Sequence, residues 1–332
     1  MSAPTHARPS VLPRVQRWIV CALLALSGHV PAWALDIRFD AVAPGVYAFI
    51  GETGPRTQAN EGLNANLGLV VTPAGALLID SGASYLSARD IHRAIQQVTP
   101  QPVRWLINTG GQDHRWLGNG YFIEQGVEVI AHASARADML ARGPGHLASL
   151  EDILQDRLQG THIALPTRFL QGQDEVLELG GVRVEVKHRG GGHTPGDSLV
   201  WLPAQKLLFT GDVVYADRLL GIFPFSSTRH WLASFTLVEQ LQPDIIVPGH
   251  GRVSDLARAR ADTGDYLRQL RAHMRHAVDE MVGLTEAIRS FDATPYLRLQ
   301  HATELHPGNA SRTYLEIERE QVLNTPPTPS GK

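Results

Sequence analysis

Gly192-His193-Thr194-Pro195-Gly196-Asp197, Phe209-Thr210-Gly211-Asp212 and Pro248-Gly249-His250-Gly251 lie far apart in the chain, and their joint reading decides the fold. Each offers a metal-capable side chain from a glycine-bearing turn. Each turn follows an apolar or alternating run that reads as a strand: Val182–Lys187, Leu207–Phe209 and Ile245–Val247. Two imidazoles and a carboxylate at neighbouring strand ends form a nitrogen and oxygen ligand mix that suits zinc. His193 follows Gly190–Gly192 and precedes Thr194-Pro195. The glycines permit a sharp turn and the proline fixes its own φ, so this imidazole projects from a rigid loop.

Further strands are predicted at Val46–Ile50, Leu67–Thr72, Ala76–Ile79, Val103–Ile107, Val127–Ala131 and Leu199–Trp201. Helical segments separate some of them. Ser84 caps Leu86–Val98, Ser134 opens a stretch to Arg142, Ser149 caps Glu151–Gln159, and Thr228 precedes Arg229–Leu241. The order implies an α/β chain of two packed sheets with helices outside. Leu77-Leu78-Ile79-Asp80-Ser81-Gly82 parallels Leu207-Leu208-Phe209-Thr210-Gly211-Asp212, which fits two related β-rich halves. Asp255–Arg289 reads as helical hairpin material broken at Gly283, with Met274 and Met281 as core filler. The tail from Thr325, rich in Pro, Thr and Ser, reads as disordered.

Residues 1–34 read as a secretory signal. Arg8, Arg14 and Arg17 form a positive region, Trp18–Val30 is apolar, and Ala32-Trp33-Ala34 suits cleavage. Cleavage there predicts an exported, periplasmic protein with no remaining membrane segment. The one cysteine, Cys21, lies inside that segment, so the mature chain has no thiolate ligand or nucleophile and no disulfide. Removing the segment's three arginines from 30 basic and 33 acidic residues leaves 27 against 33. A mildly acidic chain without a basic run argues against nucleic-acid binding.

The ordered triplet, with Thr-Pro-Gly-Asp after its first histidine, resembles the metallo-β-lactamase-fold hydrolases. The resemblance implies a four-layer αββα sandwich with mixed sheets, spanning residues 35–310 with its C-terminal helices and followed by a 311–332 tail. It also implies that Asp212 and His250 are metal ligands beside His193, and that Asp80 is a buried scaffold residue. One departure stands out. Where the superfamily has His-x-His-x-Asp-His after a strand and Thr, this chain has Gly110-Gly111-Gln112-Asp113-His114-Arg115 after Thr109. Aligned without gaps, only His114 joins the site; shifted by one, Asp113 and His114 both do. Either way two first-site imidazoles are missing, which predicts one tightly held Zn2+ on His114, His193, Asp212 and His250.

Asp113 is the expected catalytic carboxylate, orienting or deprotonating a water, with helix capping as the competing role. Arg115 and Arg218 are the expected contacts for an anionic substrate group. The implied activity is hydrolysis of a small-molecule ester, thioester or amide by a metal-activated water. The segment from Pro195 to Arg218 is similar to exported zinc metallohydrolases of quinoprotein relay systems. That likeness implies a periplasmic quinoprotein dehydrogenase as partner, with a non-catalytic binding or assembly role as the alternative.

Overall fold

Strand β4 (Gly75–Ile79) is apolar at every position but its first and is buried throughout, as expected for a strand covered on both faces. The structure, a computed structural model, describes residues 35–324, and from Ile37 onward these form one compact unit. The predicted signal segment, residues 1–34, and residues 325–332 lie outside the described residues.

The first sheet has the order β1 (Asp40–Ala43), β2 (Val46–Phe49), β3 (Leu67–Thr72), β4, β5 (Val103–Ile107), β6 (Glu128–His132) and β7 (Arg168–Leu170). Its first four strands run antiparallel and β4 to β7 run parallel. Parallel neighbours need crossovers. These are supplied by α1 (Tyr85–Val98), by α2 (Asp113–Trp116) with α3 (Asn119–Glu124), and by α4 (Ser134–Leu154). The second sheet reads β8 (Asp174–Leu179), β9 (Val182–Lys187), β10 (Leu199–Leu202), β11 (Leu207–Phe209) and β12 (Ile245–Val247) in spatial order. Helix α5 (Thr228–Leu241) makes the parallel crossover from β11 to β12.

Between the sheets, Val70, Leu77, Ile79 and Ile107 pack with Val184, Val186, Val200, Leu202 and Phe209. Behind the second sheet, Leu199, Trp201 and Leu208 share a core with Trp231 and Phe235 of α5. That core extends through α6 (Leu256–Ala259), α7 (Asp265–Asp279), α8 (Leu284–Ser290) and α9 (Ala302–Asn324). The architecture is an αββα sandwich. The two similar segments occupy equivalent places, since β4 and β11 each have one antiparallel and one parallel neighbour.

Several local expectations change. Ser149 caps nothing: α4 runs 21 residues through Pro144, and the Ser149 hydroxyl donates back to the His146 carbonyl. The stripe Ala135, Met139, Gly143, His146, Leu150 and Leu154 is buried, and its apolar members pack with Trp116. Ser227, not Thr228, caps α5, its hydroxyl accepting from the His230 N–H. Met274 is core, but Met281 is 90% exposed because it sits in the turn after α7. The 35–310 boundary cuts through α9, which continues to Asn324 with Ala310, Tyr314 and Ile317 buried against the helical layer.

Candidate metal centre

The site lies where the loops after β5, β11 and β12 meet. His114 is the second residue of α2, Asp212 follows β11 in a 3-10 turn, and His250 follows β12. Each of these three buried residues offers one ligand atom within 4.8 Å of the others. The nearest Asp212 oxygens are 3.3 Å from His114 Nε2 and 3.2 Å from His250 Nε2.

The hydrogen-bond pattern around these atoms calls for a cation. His250 Nδ1 lies 2.8 Å from the Asn64 carbonyl, which can only accept, so Nδ1 carries the proton. Nε2 of the neutral ring is then a lone pair facing a carboxylate oxygen, two acceptors with no hydrogen between them. His114 Nδ1 is buried with no hydrogen-bond partner among the described residues. Burial pushes His114 down to about 4 and His250 to about 3, so both imidazoles are neutral near pH 7. Burial alone would raise Asp212, but Arg115 and His114 outweigh it and hold the carboxyl well below its ordinary range. Two neutral imidazoles and an ionised carboxylate are a donor set that fits a divalent cation such as zinc.

His193, expected as a fourth ligand, stands outside this group. Its Nδ1 donates to the Gly221 carbonyl at 3.0 Å, and the ring is ringed by Trp231, Phe223, Phe225 and Tyr215. Burial lowers it to about 4, so its Nε2 is an available lone pair. Asp113 also stays out of the group, and only His114 of the pair enters it. Its carboxylate accepts from the His114 N–H at 2.9 Å and forms an ion pair with Arg56.

Arg115 lies beneath the donors instead of at a substrate mouth. It is 1% exposed and bridges two aspartates: Nη2 donates to Asp212 at 2.6 Å and Nη1 to Asp80 at 3.0 Å. The same guanidinium donates to the Asn66 and Gly249 carbonyls. Asp80 also accepts from the Thr109 N–H and hydroxyl, consistent with scaffold. Arg218 is half-buried, 5.9 Å above the Tyr215 ring, and has no carboxylate partner among the described residues. Tyr215 in turn stacks on His250 at 4.8 Å.

The two positions where the imidazoles are missing are otherwise engaged. A Cβ on Gly110 would sit 2.5 Å from Asp197 Oδ1, and Gln112 is bonded to Arg142. Sequence reasoning missed Arg56, the Asn64 carbonyl and the Gly221 carbonyl. No local motif marks them; only tertiary contact makes them neighbours of the site.

A family model described as the metallo-beta-lactamase superfamily matches residues 60–250, more than half the chain. Among curated proteins, the chain is 28% identical over 193 residues to "Metallo-beta-lactamase type 2" of Bacillus cereus, covering 57% of this chain and 68% of that one. It is 28% identical over 207 residues to an "acyl-coenzyme A thioesterase" of Gallus gallus, covering 57% and 73%. It is 25% identical over 234 residues to the "2,4-dinitroanisole O-demethylase subunit alpha" of a Nocardioides strain, covering 69% of this chain and 62% of that subunit. The chain thus spans less than two thirds of that subunit. Among solved structures, "Metallo-beta-lactamase from Pontibacter korlensis" superposes with a TM-score of 0.58 at 22% identity, covering 70% of this chain and 99% of that one. That likeness speaks to the fold.

Proposed function

The chain belongs to the metallo-β-lactamase superfamily, and from that premise we propose an exported hydrolase with one zinc ion held by His114, Asp212 and His250. Its substrate bond is an ester, thioester or amide. The observation that carries the reading is the buried facing of His250 Nε2 and Asp212 Oδ1 at 3.2 Å with no proton between them. A divalent cation bound by such donors polarises a carbonyl and brings the pKa of water toward about 7.

The chain's own residues prepare that site. The Asn64 carbonyl fixes the tautomer of His250 and so orients a ligand ring, while the Gly221 carbonyl fixes the tautomer of His193 outside the ligand group. Arg115 keeps Asp212 ionised and aimed. Asp113 is engaged by Arg56, and we assign it to positioning His114, whose backbone N–H donates to its carboxylate at 2.9 Å. Arg218 receives an anionic group of the substrate. Export rests on the Arg8–Ala34 pattern, and kinship with quinoprotein relay hydrolases rests on residues 195–218.

A second reading has its own observation. Gly110, which has no ligand atom, and Gln112, which is bonded to Arg142, stand where the superfamily motif has two imidazoles, and this favours a binding or assembly component beside a periplasmic quinoprotein dehydrogenase. Zinc-loaded mature protein tested on p-nitrophenyl and thioester substrates separates the two. Turnover abolished by chelator and restored by zinc supports the hydrolase. Bound zinc without turnover of any of them favours the second reading.

A further inference from the structure

Helix α9 leaves one face uncovered toward its C-terminal end. Tyr314 and Ile317 turn into the helical core, whereas Leu315, Glu318, Arg319, Val322 and Leu323 are exposed. Spacings of three and four residues put Leu315, Glu318, Arg319 and Val322 on one side of the helix. With Val278 and Met281 they border a groove of about 880 Å³. Of the nine large apolar side chains exposed among the described residues, four meet here: Met281, Leu315, Val322 and Leu323. Single exposed leucines need no explanation, but a cluster of this kind marks an interaction surface. Met281 adds a second sign. It adopts a φ of +55°, unusual for a residue with a long side chain, in the turn that presents it to the groove. Its flexible thioether adapts readily to an apolar neighbour.

The order of residues along the face identifies what covers it. Leu315 lies as far before the midpoint between Glu318 and Arg319 as Val322 lies after it. Two copies of α9 laid antiparallel about that midpoint therefore set Leu315 of each against Val322 of the other, and Glu318 of each against Arg319 of the other. Glu318 and Arg319 form no ion pair within the chain among the described residues. A twofold axis makes every contact twice, so two apolar contacts flank two ion pairs, the self-complementarity that an isologous interface requires.

We propose that this face of α9 is the interface of a homodimer, covered by a second copy of the chain in that antiparallel register. No residue of the metal centre takes part, so the dimer stands or falls independently of the hydrolase reading. Sedimentation equilibrium of the zinc-loaded mature chain should show a monomer–dimer equilibrium with a Kd of about 1–100 µM, the range of a small reversible interface. Glu318→Arg and Arg319→Glu each oppose like charges twice across the axis, and each should weaken the dimer by more than about tenfold. Mixed in equal amounts, the two variants face opposite charges at both contacts and should pair with nearly wild-type affinity. The double variant Glu318→Arg/Arg319→Glu should dimerise as well.

A wild-type chain that stays monomeric at about 200 µM overturns the proposal and leaves the groove to a different partner. A dimer that withstands both single variants uses another face, and variants that do not recover on mixing exclude this register; either result overturns it too. Circular dichroism confirms that each variant is folded. Val322→Lys, which sets a charge against the partner's Leu315, replaces a charge variant that fails to fold and should weaken the dimer similarly.

Discussion

Replacing Arg115 by Met should destabilise the protein more than any other single change at the site. The guanidinium makes bonds to Asp80, to both oxygens of Asp212, and to the Asn66 and Gly249 carbonyls. The methionine fills much of the space but donates nothing. Breaking a buried ion pair costs about 3–5 kcal/mol, and each orphaned carbonyl adds about 1–3 before water relaxes the site. A loss of about 5 kcal/mol or more follows, against a typical total stability of roughly 5–15. Without Arg115, burial raises Asp212 and lifts Asp80, already raised by burial in the wild type, further still. A raised acid holds its proton in the folded state over a window where the unfolded chain has released it. Stability of the variant therefore falls as pH rises above the ordinary carboxylate range, and its gap to wild type widens. Zinc, by supplying a positive charge to Asp212, should narrow the gap. Urea unfolding followed by circular dichroism at acid and neutral pH, with and without zinc, measures all three effects. A loss below about 1 kcal/mol, insensitive to pH and zinc, would mean that Arg115 does not hold the two buried carboxylates.

Asp197 is buried beside Thr194, and burial first and Asp212 second push it up to about 8. Its stability contribution therefore declines as pH rises toward 8, by about 1.4 kcal/mol per unit at most. Asp197→Asn should gain on the wild type steadily from pH 5 to pH 8 in urea titrations; a gap independent of pH would count against a protonated Asp197. Asn66 donates to the Pro248 and Gly251 carbonyls and accepts from the Gly51 N–H, bracing the turn that carries His250. Asn66→Ala should lower stability by about 3 kcal/mol and weaken zinc binding, read by thermal unfolding and chelator competition. Unchanged zinc affinity would remove the bracing role.

Much of the sandwich is legible from apolar runs. Val103–Ile107 and Val182–Lys187 coincide with their observed strands because continuous or alternating apolarity has no helical explanation there. Strand β8 is missed despite its alternating Leu177 and Leu179, since its acidic residues obscure the pattern. Helix α4 is cut short because Gly143-Pro144-Gly145 looks like a turn, while burial of a stripe on both sides of the proline sustains it. At the site, the glycine-bearing turns of Asp212 and His250 are legible in the sequence, whereas their ligand roles, and the entry of His114, come only from the resemblance to the superfamily motif. Arg115 carries no such signal. Its neighbour relation to Asp80 and Asp212 comes from two strand ends distant in sequence. His193 sits in the segment the motif predicts, yet its Nδ1 bond to Gly221 and its aromatic collar depend on a loop with no local signature.

Zinc stoichiometry and affinity across four single variants test the central claim most directly. One equivalent of zinc per wild-type chain is expected by chelator competition and elemental analysis. His114→Ala, Asp212→Ala and His250→Ala should each weaken it by more than about 100-fold, and His193→Ala by less than about tenfold. Two equivalents in the wild type, or zinc retained at full affinity without His250, would contradict a single cation held by His114, Asp212 and His250.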